Sequence, residues 1–130
     1  MQKNLRLIVA GGREFSDYRL LADTLDSLLR AFPNEQVTIV SGTCSGADLM
    51  GERYAEEHGI PVERFPANWK AHGRAAGPIR NRAMAEFASK EHGVLAAFWN
   101  GTSRGTASMI KLAGRYSLET VVTKYGEKLN

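Results

Sequence analysis

Residues 5–13, with the sequence LRLIVAGGR, constrain the fold more than any other stretch of the chain. The run of leucine, isoleucine and valine is typical of a strand covered on both faces, as in a parallel sheet. Gly11 and Gly12 follow, and glycine lets the backbone approach a ligand closely because it has no Cβ. Ser16 and Asp17 then predict the start of a helix. Strand, glycine turn and helix form the first half of a nucleotide-binding βαβ unit.

The rest of the chain alternates between helical and strand-like hydrophobic patterns. Helices are predicted at 18–32, at 46–58, from Pro78 to near His92-Gly93, and at 107–116. Further strands are predicted at 36–40, 61–65, 94–99 and, at a sheet edge, 119–123. Residues 66–77 are predicted as a loop and 124–130 as a polar, disordered tail. The pattern predicts a single α/β domain over residues 1–130, a three-layer Rossmann-like domain with a parallel five-stranded sheet and helices on both faces.

Charge and cysteine content narrow the functional classes. The net charge of +3 suits an anionic ligand but is far from a polybasic nucleic-acid arm. Cys44 is the only cysteine, so no intrachain disulfide can form and a reducing compartment is expected. No apolar run approaches the ~20 residues that span a membrane, and the N-terminus leads directly into a strand rather than a signal peptide. These features predict a cytoplasmic protein.

The loop at 41–48, SGTCSGAD, follows the second predicted strand. Small residues and free backbone N–H groups ahead of a helix N-terminus suit a phosphate. The structural alternative is a tight turn with a capping box in which Ser45 bonds to Asp48. The loop lacks the Gly-Lys-Ser/Thr of a P-loop, and Ser41-Gly42 stands where a dinucleotide-binding strand carries an acid. A nicotinamide dehydrogenase is therefore not expected.

A second cluster, at 68–82, carries the cations Lys70, Arg74, Arg80 and Arg82. Arg80 and Arg82 are predicted in the first turn of a helix, where the helix dipole disfavours positive charge unless an anion is bound. The apolar positions 79, 83 and 87 predict the buried face, about 100° away from Arg80. Arginine suits bidentate binding of phosphate, and the alternative is a salt bridge to a carboxylate. Trp69 predicts either a platform for base stacking or a core residue.

A third loop, after the fourth strand, reads NGTSRGT at 100–106. Gly101 and Gly105, with the hydroxyls of Thr102 and Thr106, suit a phosphate or ribose at the edge where the other loops end. Cys44 with His72 is a less favoured nucleophile and base pair. No spacing of histidine, cysteine and carboxylate residues resembles a metal site, and no cofactor is predicted.

Four motifs occur in order along the chain: AGGREFSDY, SGTCSGAD, GRAAGPIRNR and RGTA. Together they resemble the YspA-like branch of the SLOG superfamily, which groups Smf/DprA DNA-processing proteins with LOG (lonely guy) phosphoribohydrolases. The resemblance covers nearly the whole chain and implies a Rossmann-like domain around a nucleotide-derived ligand. The residues that it implies as pocket lining are Gly11, Gly12, Arg13, Ser41, Gly42, Gly46, Asp48, Arg80, Asn81, Gly105 and Thr106.

The chain departs from the LOG pattern at the catalytic acid. LOG enzymes have Pro-Gly-Gly before the Gly-Thr and a glutamate three residues past the threonine, whereas this chain has Trp99-Asn100-Gly101 and Met109. A thioether cannot transfer a proton, so an enzyme of this type would need Asp48 or Glu14 as its acid, with Arg80 or Arg13 on the phosphate.

Three functions are therefore compared. The favoured one is binding of a nucleotide or nucleotide-derived ligand by the glycine loops and Arg80, with the base near Trp69. The first alternative is a hydrolase that cleaves an N-glycosidic bond, and the second is a DNA-binding domain of the Smf/DprA kind, which the modest charge makes the weakest of the three. A homodimer is a further expectation, because small Rossmann-like domains often pair to complete a site.

Overall fold

The computed structural model describes residues 3–126, and these form one parallel sheet with helices on both faces. The sheet order is β3-β2-β1-β4-β5. The strands are β1 (Asn4–Gly11), β2 (Gln36–Ser41), β3 (Val62–Arg64), β4 (His92–Trp99) and β5 (Glu119–Lys124). The helices are α1 (Tyr18–Arg30), α2 (Ala47–Glu57), the single turn α3 (Trp69–His72), α4 (Ala76–Ser89) and α5 (Arg104–Arg115). The predicted Rossmann-like α/β fold is confirmed, including the edge position of β5.

Each face of the sheet has its own apolar core, because neighbouring residues of β1 point to opposite sides. Leu5, Leu7 and Val9 pack with buried residues of α1 and α2. Ile8 and Ala10 pack with buried residues of α4 and α5 on the other side. Burial on both faces explains the continuous apolar run from Leu7 to Ala10 of β1 and completes the three layers.

Strand order reverses between β1 and β4, which are neighbours in the sheet but far apart in sequence. The chain moves from β1 outward to β2 and β3, then crosses back to β4 and continues to β5. In doubly wound sheets the crevice beyond the carboxyl ends of the strands at such a reversal is where ligands bind. The topology therefore directs attention to the loops that follow β1 and β4.

The segment predicted as a loop at 66–77 contains more structure than its composition indicates. The Asn68 side chain accepts a hydrogen bond from Ala71 N–H and caps α3, which a short 3₁₀ turn, Gly73–Ala75, joins to α4. Helix α4 begins at Ala76, so Pro78 is its third residue rather than its first. Proline is tolerated there because the first four N–H groups of a helix have no partner within the helix.

The predicted buried face of α4 is wrong by about one position. Ile79 is 45% exposed, whereas Asn81, Met84 and Ala88 are buried against the sheet. The apolar run at 79, 83 and 87 gave the wrong phase because the truly buried face includes a polar residue, Asn81. This phase also moves Arg80, which lies in the second turn of α4, toward the carboxyl edge of the sheet.

His92 does not end a helix, as predicted, but begins β4 at the sheet edge opposite the glycine loops. Its Nδ1 lies 2.6 Å from Glu35 Oε1 and its Nε2 lies 2.7 Å from Glu119 Oε1. A neutral imidazole carries one N–H, so only the imidazolium donates to both carboxylates. The hydrogen bonds to Glu119 and Glu35 raise the pKa of His92.

We expect the loss of this ring to be pH-dependent. Because the pKa of folded His92 is raised, its stabilisation is complete below the unfolded value of about 6.5 and disappears as pH rises through the folded value. His92→Ala should cost about 1 kcal/mol more of unfolding free energy at pH 6 than at pH 9. Denaturant titrations at both values measure this difference. His72→Ala, which removes an exposed imidazole, is the control and should show no such difference.

The C-terminal end of the described chain packs onto the domain. Tyr125 lies 4.6 Å from the ring of Phe15, centroid to centroid, and its N–H donates to Trp99 O. The predicted disordered tail is thus wrong for residues 124 and 125, and its last residues, 127–130, lie outside the described range. Within residues 3–126, no helix is both long and apolar enough to cross a membrane.

Candidate functional site

A cleft of about 330 Å³ opens beyond the carboxyl ends of β1 and β4, where strand order reverses. Four parts of the chain form it: the end of β1 with the residues after it, Cys44 and Asp48 after β2, the α4 face around Arg80, and the start of α5. A second cleft, of about 480 Å³, lies next to it and shares Arg13, Cys44 and Arg80 with it. We call these the main cleft and the side cleft.

Arg80 forms the wall between the two clefts, and three contacts hold its guanidinium in place. Nη1 donates to Gly42 O at 2.5 Å, Nε donates to Asn81 Oδ1 at 2.9 Å, and Nη2 lies 3.8 Å from Cys44 Sγ. No carboxylate of the described residues forms an ion pair with it within 4.0 Å. The alternative prediction, a salt bridge for Arg80, is therefore wrong within residues 3–126. The charge of Arg80 faces the clefts instead.

Gly42 is required for this arrangement. A Cβ at this position would lie 2.8 Å from both Arg80 Nη1 and Asp48 Oδ2. Any larger residue would push the arginine or the carboxylate away. The resemblance implies Gly42 as a pocket residue, and Gly42 borders the side cleft, where its close neighbours are side chains of the same protein.

Asp48 is 5% exposed and lines the main cleft from the first turn of α2. Its Oδ2 accepts a hydrogen bond from Cys44 N–H at 3.2 Å. Burial raises the pKa of Asp48 to about 6, although the Cys44 N–H and the charges of Arg80 and Arg13 act in the opposite direction. The predicted capping box is absent, since Ser45 Oγ donates instead to Arg13 O at 3.3 Å.

The loop after β2 is less open to a phosphate than its sequence predicts. Thr43 N–H bonds to Ser41 Oγ, and Ala47 N–H, at the start of α2, bonds to Gly12 O. Ser41 is fully buried and its hydroxyl donates to Glu52, so it lies beneath the cleft rather than in it. Gly46 packs against the backbone of Gly12 and joins the two loops. Ser41 and Gly46 therefore support the loops around the cleft and do not line it.

The N-terminus of α5 faces the main cleft, as the third loop predicts. Ser103 caps the helix by accepting from Thr106 N–H, and its hydroxyl lies 3.2 Å from Thr106 Oγ1. Gly105 borders the cleft, with no atom within 4 Å of the position its Cβ would take. Asn81 Nδ2 lies 3.5 Å from Gly105 O, so this buried amide connects α5 to Arg80. Gly101 does not reach either cleft and lies in the turn near Lys124.

Trp69 lies at the side cleft and is 49% exposed, so the core alternative for this residue is wrong. The Arg13 guanidinium carbon lies 6.0 Å from the centroid of its ring, and Arg13 itself is exposed. Both residues border the space beside Arg80. An exposed indole next to a cation presents a flat surface on which a heterocycle can stack.

Glu14 lines the main cleft and accepts a hydrogen bond from the Tyr125 hydroxyl. Gly11 and Gly12 turn the chain toward it, and the Gly12 N–H bonds to Phe98 O at the end of β4. Gly12 is buried and does not line the cleft, whereas Gly11 does. The first glycine pair thus contributes one cleft residue and one structural residue.

The sequence prediction missed some of the cleft. Met84 and Met109 both line the main cleft. Met84 lies one helical turn beyond Arg80 on α4, so helical spacing from Arg80 would have indicated it.

Cys44 borders both clefts, but no hydrogen bond joins it to His72 among the described residues. Over the same 124 positions from Lys3 to Gly126, no group of three or more histidine, cysteine or carboxylate residues is arranged for a metal ion.

Comparisons with known proteins identify the family of the chain and support its fold. Residues 5–72 match the profile of the YspA, cpYpsA-related SLOG family. The Gene 61 protein of Mycobacterium phage D29 is 29% identical over 128 residues, which are 95% of this chain and 98% of that one. The fold resembles DNA processing protein A (DprA) from Streptococcus pneumoniae, with a TM-score of 0.65 and 16% identity over 92% of this chain. The matched region covers 50% of the DprA chain, so this chain spans about half the length of that protein.

A second solved structure is more distant. A predicted tRNA methyltransferase subunit from Methanocaldococcus jannaschii aligns with a TM-score of 0.46 and 15% identity, over 95% of this chain and 70% of that one.

Proposed function

The chain belongs to the YspA, cpYpsA-related SLOG family, and on that basis we propose that it binds a nucleotide or nucleotide-derived ligand across the two clefts. The phosphate lies in the main cleft, against Arg80 and near the N-terminus of α5. The sugar lies where the two clefts meet, and the base extends into the side cleft and stacks on Trp69. The clefts are continuous at Arg13, Cys44 and Arg80, which suits a ligand with a charged end, a central sugar and a flat heterocycle.

The observation that carries this proposal is the state of the Arg80 guanidinium. It is half-buried, fixed by Gly42 and Asn81, and without a carboxylate within ion-pair distance among residues 3–126. Desolvating a cation costs free energy unless an opposite charge compensates it. Asp48 lies nearby but does not pair with Arg80, so a phosphate at the N-terminus of α5 would be the anion in direct contact with the guanidinium and would also interact favourably with the helix dipole.

A thermal-shift panel tests the proposal. The panel contains mono-, di- and cyclic nucleotides, ADP-ribose and NAD, and each mixture is analysed by chromatography afterwards. A ligand at 100 times its dissociation constant stabilises the folded state by about 2.7 kcal/mol, which gives a clear shift of the unfolding midpoint. Recovery of the ligand intact supports a binding protein. If no member of the panel shifts the midpoint, nucleotide binding is wrong.

The same panel tests a nucleotide hydrolase that cleaves the N-glycosidic bond, the second candidate. Asp48 favours it, because its pKa of about 6 suits a proton donor near neutral pH, and Glu14 borders the same cleft. Met109 lines the cleft at the position of the LOG glutamate, and its thioether supplies no acid. Free base or sugar phosphate in the chromatogram would support this candidate, and quantitative recovery of every ligand would contradict it.

A DNA-binding domain is the third candidate. The exposed Trp69, Lys70 and Arg74 form a cationic, aromatic surface beside the side cleft. Such surfaces bind single strands by stacking and by phosphate contacts. This candidate requires affinity for single-stranded DNA that falls steeply with added salt.

A further inference from the structure

Asp48 faces the main cleft with most of its hydrogen-bonding capacity unused. Its side chain is 5% exposed, and the Cys44 N–H is its one hydrogen-bond donor among residues 3–126. An ionised carboxylate has about four acceptor positions. The remaining positions of Asp48 are therefore available to donors that a ligand brings into the cleft.

The position of this carboxylate relative to Arg80 limits which part of a ligand can reach it. Asp48 Oδ2 and Arg80 Nη1 each lie 2.8 Å from the Cβ position of Gly42. The two atoms are therefore separated by no more than about two hydrogen-bond lengths. The ligand group that reaches Asp48 while a phosphate is bound at Arg80 is therefore the one next to that phosphate.

In a nucleotide this group is the sugar, and its donors are the ribose hydroxyls. The base is attached to the other end of the sugar and has its own surface at Trp69 in the side cleft. Dinucleotide-binding Rossmann folds use an acid at the end of the second strand for the same hydroxyls. Here Ser41 occupies the end of β2, is fully buried and bonds to Glu52, so that position cannot perform this role. Asp48 brings a carboxylate to the cleft from α2 instead.

We propose that Asp48 accepts hydrogen bonds from the ribose hydroxyls and makes the protein selective for ribonucleotides over their deoxy counterparts. This inference rests on the proposed nucleotide binding at Arg80. Discrimination follows because a ligand without the hydroxyl occupies the cleft and leaves a buried acceptor unpaired. The effect is specific to the sugar and does not depend on which base the ligand carries.

Calorimetry with matched ligands tests the inference. The probes are the four common ribonucleoside 5′-monophosphates, their 2′-deoxy and 3′-deoxy forms, and ribose 5-phosphate with 2-deoxyribose 5-phosphate. For every nucleotide that binds, we expect the 2′-deoxy form, the 3′-deoxy form or both to bind the parent protein about tenfold more weakly than the ribo form. In Asp48→Asn the ribo affinity should fall and the ratio should approach one, since the charged acceptor is lost while the side-chain shape is kept. Glu56→Gln removes an exposed acid of α2 outside both clefts and should keep the parent ratio.

The outcomes separate this inference from the function on which it rests. If ribo and deoxy forms bind the parent protein equally well, and Arg80→Ala weakens both, nucleotide binding stands and the role of Asp48 is wrong. An undiminished ratio in a folded Asp48→Asn protein overturns the role of Asp48 as well. Binding of none of the probes overturns both. Equal binding of the ribo and deoxy forms by the parent protein overturns the inference even if the variant does not fold.

Discussion

Gly46→Ala should destabilise the protein by on the order of 4 kcal/mol, the largest stability effect that we expect from a single methyl group. Gly46 has φ +80° and ψ −129°, a combination that side chains other than glycine rarely adopt. Its Cβ would also collide with the carbonyl oxygens of Gly12 and Arg13. Neither problem can be relieved by a side-chain rotation, because all the atoms involved belong to the backbone. Chemical denaturation of the purified variant measures the loss.

Gly59→Ala is the matched control for this prediction. Gly59 also has a positive φ, +66°, but no atom lies within 4 Å of the position that its Cβ would occupy. The substitution should therefore cost only the backbone preference, about 1 kcal/mol. Equal losses in the two variants would mean that the contact between the loops after β1 and β2 contributes nothing.

Arg80→Ala should weaken the binding of any nucleotide found in the panel by about a hundredfold, the largest effect that we expect on binding. The variant loses the charge that faces both clefts and the fork that a phosphate can contact. Arg80→Lys keeps the charge but not the fork, and it should lose about tenfold. Isothermal calorimetry with the nucleotide that gives the largest thermal shift measures both values.

Arg82→Ala is the control for overall charge. Arg82 is two residues further along α4, is exposed and borders neither cleft. Its removal lowers the net charge by the same amount and should leave the affinity within about twofold. A similar loss in the Arg80 and Arg82 variants would mean that general electrostatic attraction, rather than a site at Arg80, accounts for binding.

The periodicity of the chain predicted the strand and helix order well, because buried parallel strands have continuous apolar sequences that few other elements share. Val94 to Trp99, for example, was predicted as a strand and lies within β4. The end of the preceding helix was misplaced, since His92 resembles a C-terminal helix residue and its partners Glu35 and Glu119 are distant in sequence. Such pairings are set by tertiary structure and leave no local signal.

The residues of the candidate site were predictable where a loop follows a strand. They were less predictable on α4, where the orientation of the helix determines which side chains face the cleft. Arg13, Arg80 and Thr106 come together as expected because their segments meet at the carboxyl edge of the sheet. The inward position of Asn81 was not predictable from apolar spacing, because a buried amide interrupts the pattern on which the phase of α4 was based. Ser41 and Gly46 have the sequence of ligand-binding residues, but they bond to Glu52 and contact Gly12 instead.

The two clefts are built from different kinds of structure, and this has a consequence for how the family can diversify. The main cleft is lined by the end of β1 and by residues of the long helices α2, α4 and α5, where most substitutions disturb the core. The side cleft is bordered in part by Pro66, Ala67 and Trp69, at the start of a four-residue helix whose side chains are exposed. Under the proposed function, replacing the segment at 66–75 therefore offers a route to new base preferences that leaves the residues proposed for phosphate and sugar in place, so a different ligand can be bound without a new fold.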